Sequence, residues 1–500
     1  MNFLKILPIT LLLLSCIQSA CLFAASQPPH PNIIYILADD LGYGDVKCLN
    51  PKGRIATPQM DRLAASGMIF TDAHASSSVC TPSRYSILTG RYNWRSRLQS
   101  GVFGGFSTPL IDRERLTAPA LLKQSGYATA CIGKWHLGMT MPGKSNLNRQ
   151  ILDSPTTRGF DEFFGISASL DMPPYAFIHN DRFTAPLDTE KELYKGRRGP
   201  AAAEFEAVDV LPTLTSKAVE YIRHEASGKK TFFLYLALTS PHTPIVPTKD
   251  WLGKSGIGDY GDFVMETDWA VGEVLAAIDH AGIADNTLVM VASDNGCAPA
   301  AGVADLEKKG HFPSAQFRGY KSDIWDGGHR VPFLVRWPGK VKPGAKCDTL
   351  VCLDDLVATC ADILGVKLPD NAGEDSVSFL PALVGVSGKP LREAIVHHSI
   401  NGCFAIRQGN WKLELCPGSG GWGKPGDAAA RKQGLPGVQL YDLSKDIGEK
   451  KNVQANHSDV VKRLTSLLEQ QIANGRSTPG VKQTNDAKIT IMKTGIASDE

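Results

Sequence analysis

The 500-residue chain predicts an α/β fold: a large central mostly parallel mixed β-sheet flanked by helices, then a smaller C-terminal α+β domain containing an antiparallel sheet. Three observations predict it. Apolar runs of strand length alternate with longer segments of helical spacing from Pro31 onward. After about Leu391 the texture changes to short alternating pieces. The composition, 43% hydrophobic and 21% charged, is that of a globular chain with a sizeable core, which excludes disordered, collagen-like and multi-span membrane classes.

Met1 to Ala25 opens with Lys5, continues through an apolar stretch from Ile6 to Leu14 and ends in small residues near Ala24 and Ala25, the pattern of a secretory signal peptide. Leu13-Leu14-Ser15-Cys16 also fits a bacterial lipobox, so lipid attachment at Cys16 is the alternative to ordinary cleavage. Ser15 and Gln18 interrupt the apolar stretch, and no other segment is long enough for a transmembrane span. The mature protein is therefore expected in the periplasm or outside the cell, anchored by lipid alone if at all.

Residues 26–390 form the expected catalytic domain. Its strands are Ile33 to Ala38, Tyr127 to Ile132, Phe232 to Leu238, Leu288 to Ala292 and Phe333 to Val335; helical spacing marks Pro58 to Ser66 and Asp268 to Ala281. Residues 391–476 form the small domain, with strands at Ala394 to His397, Cys403 to Arg407 and Trp411 to Leu415. A glycine-rich stretch from Gly418 to Gly426 interrupts it, and Asp459 to Ile472 closes it as an amphipathic helix. Residues 477–500 are polar and patternless, a flexible tail.

Lys and Arg total 53 against 51 Asp and Glu, a net charge of +2 that gives no electrostatic case for nucleic acid as a partner. Function must then sit in a local site. In open α/β sheets ligands collect beyond the carboxyl ends of strands, so the residues that follow each apolar run are informative. They are Asp39 and Asp40, Lys134 and His136, His242, and Asp294 and Asn295. Singly, each has an ordinary reading as a turn, a cap or a solvated side chain. Together, three carboxylates and an amide make a hard oxygen set suited to Ca²⁺ or Mg²⁺. Cationic and proton-transferring side chains beside such a metal describe a site for an oxyanion such as phosphate or sulfate.

The segment Cys80-Thr81-Pro82-Ser83-Arg84, continuing to Leu88-Thr89-Gly90-Arg91, resembles the C-x-P-S-R-x-x-x-L-T-G-R signature of the type I, formylglycine-dependent sulfatases, arylsulfatase-like members of the alkaline phosphatase superfamily. Gly126 to Gly138 resembles a second family signature, and Asn32 to Asp45 its opening strand and metal loop. Ser240 to Pro244, Ser293 to Gly296, Lys321 to Pro332 and Leu440 to Leu443 keep the family's order. The likeness runs from Pro31 to about Asn452.

The resemblance implies that Cys80 is converted to Cα-formylglycine by a formylglycine-generating or equivalent sulfatase-maturating enzyme. Its hydrate offers one hydroxyl to attack sulfur and a second to expel sulfate. The family pattern makes Asp39, Asp40, Asp294 and Asn295 ligands of one Ca²⁺, completed by an oxygen of modified Cys80. It places Arg84 beside the modified side chain to stabilise the hydrate and the covalent sulfate intermediate, and Lys134 on the sulfate oxygens. His136 takes the proton that releases sulfate, and His242 and Lys321 act at the leaving oxygen. The implied activity is hydrolysis of sulfate esters of carbohydrates, polysaccharide or glycosaminoglycan fragments, narrowed to galactose or N-acetylgalactosamine 6-sulfate. A phosphomonoester or phosphonate-ester hydrolase of the same superfamily and a catalytically silent sulfated-glycan-binding protein are the competing readings; the intact Cys80 segment favours sulfate chemistry.

Asp171 to Arg182 is a candidate wall for sugar recognition; His329 could equally face substrate or shape its turn, and His397 and His398 of the small domain could reach the pocket rim. Neither cysteine pairing nor oligomeric state is readable from spacing.

Overall fold

The computed structural model describes residues 30–143, 147–228, 230–386 and 390–493. The expected leader, Met1 to Ala25 with Cys16, lies outside them. Ten strands form one sheet: β1 (Asn32–Ala38), β2 (Met68–Phe70), β3 (Ala128–Lys134), β4 (Glu162–Ile166), β5 (Ile178–His179), β6 (Arg182–Phe183), β7 (Phe232–Ala237), β8 (Thr287–Ser293), β9 (Phe333–Arg336) and β10 (Ala345–Cys347). Their order is β10-β2-β9-β8-β1-β7-β3-β4-β5-β6. The centre, β8-β1-β7-β3-β4, is parallel, and antiparallel pairs extend it at β8/β9, β9/β2, β4/β5 and β5/β6. Parallel strands are buried on both faces, which is why these sequences read as unbroken apolar runs rather than alternations.

Two apolar layers cover the sheet. Helices α1 (Pro58–Ala65), α4 (Ala207–Gly228) and α5 (Asp259–His280) pack one face through Met60, Leu214 and Val274; α2 (Cys80–Thr89), α3 (Ala118–Gln124) and α7 (Leu356–Leu364) pack the other through Leu88, Leu122 and Val357. A four-residue helix, α6 (Asp326–His329), lies between α5 and α7 in the chain. Gly133 is obligatory: its φ is +119°, and a Cβ there would lie 1.8 Å from the Ala237 carbonyl oxygen of the neighbouring strand.

Sequence reading and structure differ in instructive places. Helix α5 begins at Asp259 rather than Asp268, because its first half buries Asp262 and Glu266 on the face where periodicity expects apolar residues. These carboxylates serve neighbouring backbone. Asp262 accepts from the amides of Gly253 and Ser255, each at 2.7 Å, and Asp268 accepts from Gln59 and Met60 at 3.0 and 2.8 Å, capping α1 from another helix. Helix α4, with Pro212 inside it, and strand β4 are not singled out by the sequence.

The small sheet is antiparallel, β11 (Ile395–His398), β12 (Phe404–Gln408), β13 (Trp411–Glu414) and β14 (Gln439–Asp442), and α8 (Ser458–Asn474) covers it through Val460, Leu464 and Leu468. Tyr92 and Trp94 of the large unit enter this core. The segment expected as a flexible tail makes specific contacts through residue 493. Asp486 pairs with Arg91 at 2.9 Å, Asn485 accepts from Arg95 at 2.9 Å, Ser477 N donates to Asp375 at 3.0 Å, and Ile489 and Ile491 pack on the small core. An extended segment held by hydrogen bonds to buried arginines carries no periodic signal, so it reads as polar coil.

Arg95 ties these pieces together. Its Nε and Nη2 each donate to Asp375 at 2.8 Å, and the guanidinium stacks 4.2 Å over Trp94. Burial opposes the Asp375 charge, but Arg95 more than offsets it and holds the carboxyl below its usual range. A depressed carboxylate pKa contributes stability above the unfolded pKa that is lost as pH falls through the folded one. Arg95→Met should therefore cost about 3–5 kcal/mol in denaturant unfolding at neutral pH, with the deficit narrowing below about pH 4.

Candidate active site

The strand ends converge. Asp39 and Asp40 follow β1, Asp294 and Asn295 follow β8, Lys134 closes β3 with His136 just beyond, and His242 follows β7; none is more than 7% exposed. Asp40 (φ +67°) and His136 (φ +58°) adopt left-handed backbone, uncommon outside glycine, as the chain turns out of the sheet.

Cys80 is the first residue of α2, whose ten residues are all buried. Arg84, one turn later, shares its face. The Arg84 guanidinium donates from Nε to Asp294 Oδ2 at 2.9 Å and from Nη1 to the Lys134 carbonyl at 3.2 Å, and Nη2 lies 2.7 Å from Asp294 Oδ2. Lys134 Nζ donates to Asp39 Oδ2 at 2.7 Å and to Ser169 Oγ at 3.0 Å. Lys321 Nζ, on the loop before α6, donates to Asp40 Oδ2 at 2.8 Å. His242 donates from Nδ1 to the Thr243 carbonyl at 2.7 Å, with Nε2 3.6 Å from Asp40 Oδ2. The structure thus brings together every site residue expected from the sequence.

Three buried carboxylates face three cationic side chains here. Burial opposes the Asp39 charge, but Lys134, His242, Arg84 and Lys321 outweigh it and hold the carboxyl far below its usual range. Burial raises Asp294, with Arg84 opposing and Asp39 reinforcing. The donor set fits a hard divalent cation. Asp39, Asp40, Cys80 and His242 each offer an atom within 4.8 Å of the others. Asn295 donates from Nδ2 to Asp40 Oδ1 at 2.7 Å while its Oδ1, wholly buried, has no hydrogen-bond donor. An orphaned buried oxygen is costly, and a cation satisfies it.

Burial pushes the Cys80 thiol up to about 12, so as a thiol it stays protonated and unreactive near neutrality. Its Sγ sits 3.7 Å from Asp39 Oδ1. His136 donates from Nε2 to the Phe103 carbonyl at 2.6 Å, which leaves buried Nδ1 as a free base without a partner. Burial, reinforced by Lys134 and Arg84, holds this imidazole neutral.

The sulfatase family model matches residues 31–366. The chain belongs to the sulfatase family. The N-acetylgalactosamine-6-O-sulfatase of Bacteroides thetaiotaomicron is 36% identical over 93% of this chain and 98% of its own. The N-acetylgalactosamine-6-sulfatase of Rattus norvegicus is 28% identical, covering 96% of this chain and 92% of its own. A solved sulfatase from the metabolism of multiple glycosaminoglycans by Bacteroides thetaiotaomicron superposes with a TM-score of 0.78 at 34% identity, over 88% of this chain and 98% of that one. The protein is accordingly a sulfuric ester hydrolase of α/β architecture.

The sulfatase pocket encloses about 180 Å³. Cys80, His136, His242 and Lys321 line it together with Ser169, Asp171, Tyr194, Arg197 and Trp422. Asp171 belongs to the segment expected as a sugar wall; Asp181 and Arg182 of that segment lie outside the lining. Sequence reasoning missed Ser169, which follows β4, a strand the sequence does not single out, and Tyr194, Arg197 and Trp422, which follow no strand of the parallel core and carry no local pattern. His329 and His397 face away from the pocket: buried with His74 between the two units, their rings stack at 3.7 Å, and burial holds all three imidazoles neutral. His398 is buried against Asn93 and Phe404. A larger open groove of about 1020 Å³, bordered by Asp72, Arg330, Arg392 and Arg407, contains none of the site residues, and its arginines are engaged with Asp72 and Asp355.

Ser169 Oγ accepts from Lys134 and lies 3.3 Å from His242 Nε2, which makes it a positioning residue. Ser169→Ala should lower kcat/KM roughly tenfold with the unfolding midpoint unchanged, the expected cost of one lost hydrogen bond to a charged group.

Proposed function

We propose that this sulfatase removes the 6-O-sulfate of an N-acetylgalactosamine or galactose residue in a sulfated glycan, using Cys80 as Cα-formylglycine and one Ca²⁺ held by Asp39, Asp40, Asp294 and Asn295. The observation that carries the substrate reading is 36% identity, over nearly the whole of both chains, to a protein named N-acetylgalactosamine-6-O-sulfatase. A pocket of about 180 Å³ supports it by admitting a sulfate group and the sugar bearing it rather than a length of polymer.

The residues divide the work by chemistry. Arg84, Lys134 and Lys321 offer fixed N–H donors to sulfate oxygens in a largely buried site, where charge-assisted hydrogen bonds are strong. Asp171, with Oδ1 buried and unpartnered and Oδ2 held by Arg197 at 2.7 Å, accepts a sugar hydroxyl. His242 and Lys321 supply the proton or N–H contact to the departing alcohol oxygen. His136, neutral with Nδ1 free, accepts the proton whose removal lets sulfate leave. As a formylglycine hydrate, residue 80 supplies the attacking hydroxyl and a second hydroxyl for sulfate release. When bound by Asp39, Asp40, Asp294 and Asn295, a divalent cation would supply Lewis acidity to the hydrate of residue 80. A maturation enzyme is the implied partner. The leader, Met1 to Ala25, directs the chain to an exported compartment, and no helix among the described residues is long and apolar enough to cross a membrane.

Four outcomes test the reading. Protein produced with a maturation enzyme should carry residue 80 about 18 Da lighter than cysteine by peptide mass, and full turnover by unmodified protein would refute the mechanism. Cys80→Ala should fold normally yet lose at least about 10³-fold in kcat. In a panel of defined sulfated sugars, 6-sulfated N-acetylgalactosamine or galactose should exceed the 4-sulfated isomers in kcat/KM; preference for a 2- or 4-sulfate would overturn the substrate assignment. Chelation should lower the thermal midpoint and Ca²⁺ restore it, an effect Asp40→Ala abolishes.

A further inference from the structure

The small sheet carries a second covalent possibility, remote from the reaction. In the hairpin of β12 and β13, Ala405 pairs with Glu414 as the last pair of the ladder; continuing that register past the strand ends places Phe404 opposite Leu415 and Cys403 opposite Cys416. The Leu415 amide donates to the Phe404 carbonyl at 2.8 Å, so that pair is hydrogen-bonded. Pairs alternate along an antiparallel ladder, which makes Cys403 and Cys416 a directly opposed, non-hydrogen-bonded pair. Cα atoms at such positions lie about 4.5 Å apart, within the span a disulfide bridges. Both side chains are buried, and their Sγ atoms lie within 4.8 Å of each other and of the Asp427 carboxylate.

We infer that Cys403 and Cys416 form a cross-strand disulfide that braces two segments of the active-site rim. The surrounding hydrogen bonds permit it. Cys403 Sγ donates to Asp427 Oδ2 at 3.5 Å and Cys416 Sγ to the Gly418 carbonyl at 3.4 Å. The Asp427 carboxylate keeps the Gly418 and Gly420 amides on Oδ1 at 3.0 and 3.2 Å, and Gly418 O keeps Gln439 Nε2 at 2.8 Å. Losing both S–H protons therefore orphans no donor, and of the two acceptor groups only Asp427 Oδ2 gives up its weak S–H contact. Each thiol gives up one proton and one electron, the S–S bond forms, and both electrons pass to a disulfide-bearing oxidant, which is reduced to its dithiol.

The consequence lies in what these strands carry. The turn running into Cys403 holds Ile400 on the pocket wall, and the glycine-rich loop leaving Cys416 holds Trp422 there. That loop otherwise rests on hydrogen bonds alone: Trp422 N to Ser322 Oγ at 2.9 Å, Gly423 N to Asp323 Oδ1 at 2.7 Å, and Ser399 Oγ to the Gly420 carbonyl at 2.6 Å. The cysteine pair packs on Ile324 and Trp325, just past Lys321 in the chain. A bond between the strand ends fixes the separation of the two rim segments and their seat on the Lys321 loop.

The test uses the full chain directed into an oxidising compartment by an efficient leader, alkylated under denaturing acid quench and digested without reduction. The expected result is a joined pair of peptides containing Cys403 and Cys416, about 2 Da lighter than the two free peptides together. Reductant should lower the thermal midpoint of the wild type but not of Cys403→Ser. It should also raise KM severalfold with kcat preserved, as for a loosened wall rather than damaged chemistry. Alkylation of both thiols, or linkage of either to another cysteine, overturns the inference. A joined pair with midpoint and KM indifferent to reductant overturns its bracing role. None of these readouts depends on which sugar the enzyme accepts.

Discussion

The pairing of Asp39, Asp40 and Asp294 with Lys134, Lys321 and Arg84 is the constraint on which the rest of this structure depends. Each of these six charged groups would be prohibitively expensive to bury alone. Together they persist almost wholly buried beneath the pocket, and each holds its neighbour's geometry as well as its charge. The parallel sheet exists to bring them there, since only at the carboxyl ends of adjacent parallel strands do four separate chain segments deliver side chains to one point. A divalent cation added to this balanced set leaves the pocket net positive, which is the polarity a sulfate ester requires.

The second organising feature is the joint between the two units. Trp94 and Tyr92 leave the catalytic unit to enter the core of the small sheet, and the segment from Ser477 to Asp486 returns to hold Arg91 and Arg95. Between the units lies a buried polar seam in which Lys412 Nζ donates to Asp326 and Glu449 at 2.8 and 2.6 Å beside the three stacked or tilted imidazoles. The small sheet is thus joined to the site by direct contact: α6 and the loop before it lie against this seam on one side and present Lys321 to Asp40 on the other.

Much of this was legible in the sequence, for physical reasons. A strand buried on both faces leaves an unbroken apolar run, and the polar residues that follow it mark the edge where ligands bind; Asp39, Lys134, His242 and Asp294 were readable on that basis. Helix α2 was not. It is buried all round yet spells Cys-Thr-Pro-Ser-Arg-Tyr-Ser, with no apolar stripe, because Ser83, Ser86 and Thr89 satisfy their hydroxyls on the backbone of Ser77, Pro82 and Tyr85. Only its family pattern betrayed it. Ser169 escaped because β4, which it follows, has no clear apolar run; Arg197 and Trp422 escaped because long-range loops deliver them, and nothing local to their sequence records what they meet.

The burial of α2 also sets an order of events. Cys80 is 1% exposed, inside a helix that has no solvent-facing side, with the sheet's strand ends in front of it. An enzyme that rewrites this residue needs a stretch of free backbone on either side of it. No such stretch exists once the strand ends have closed over the helix. The conversion proposed for Cys80 would therefore have to precede collapse, and chains that fold too quickly would be stranded as well-formed protein with an unmodified thiol.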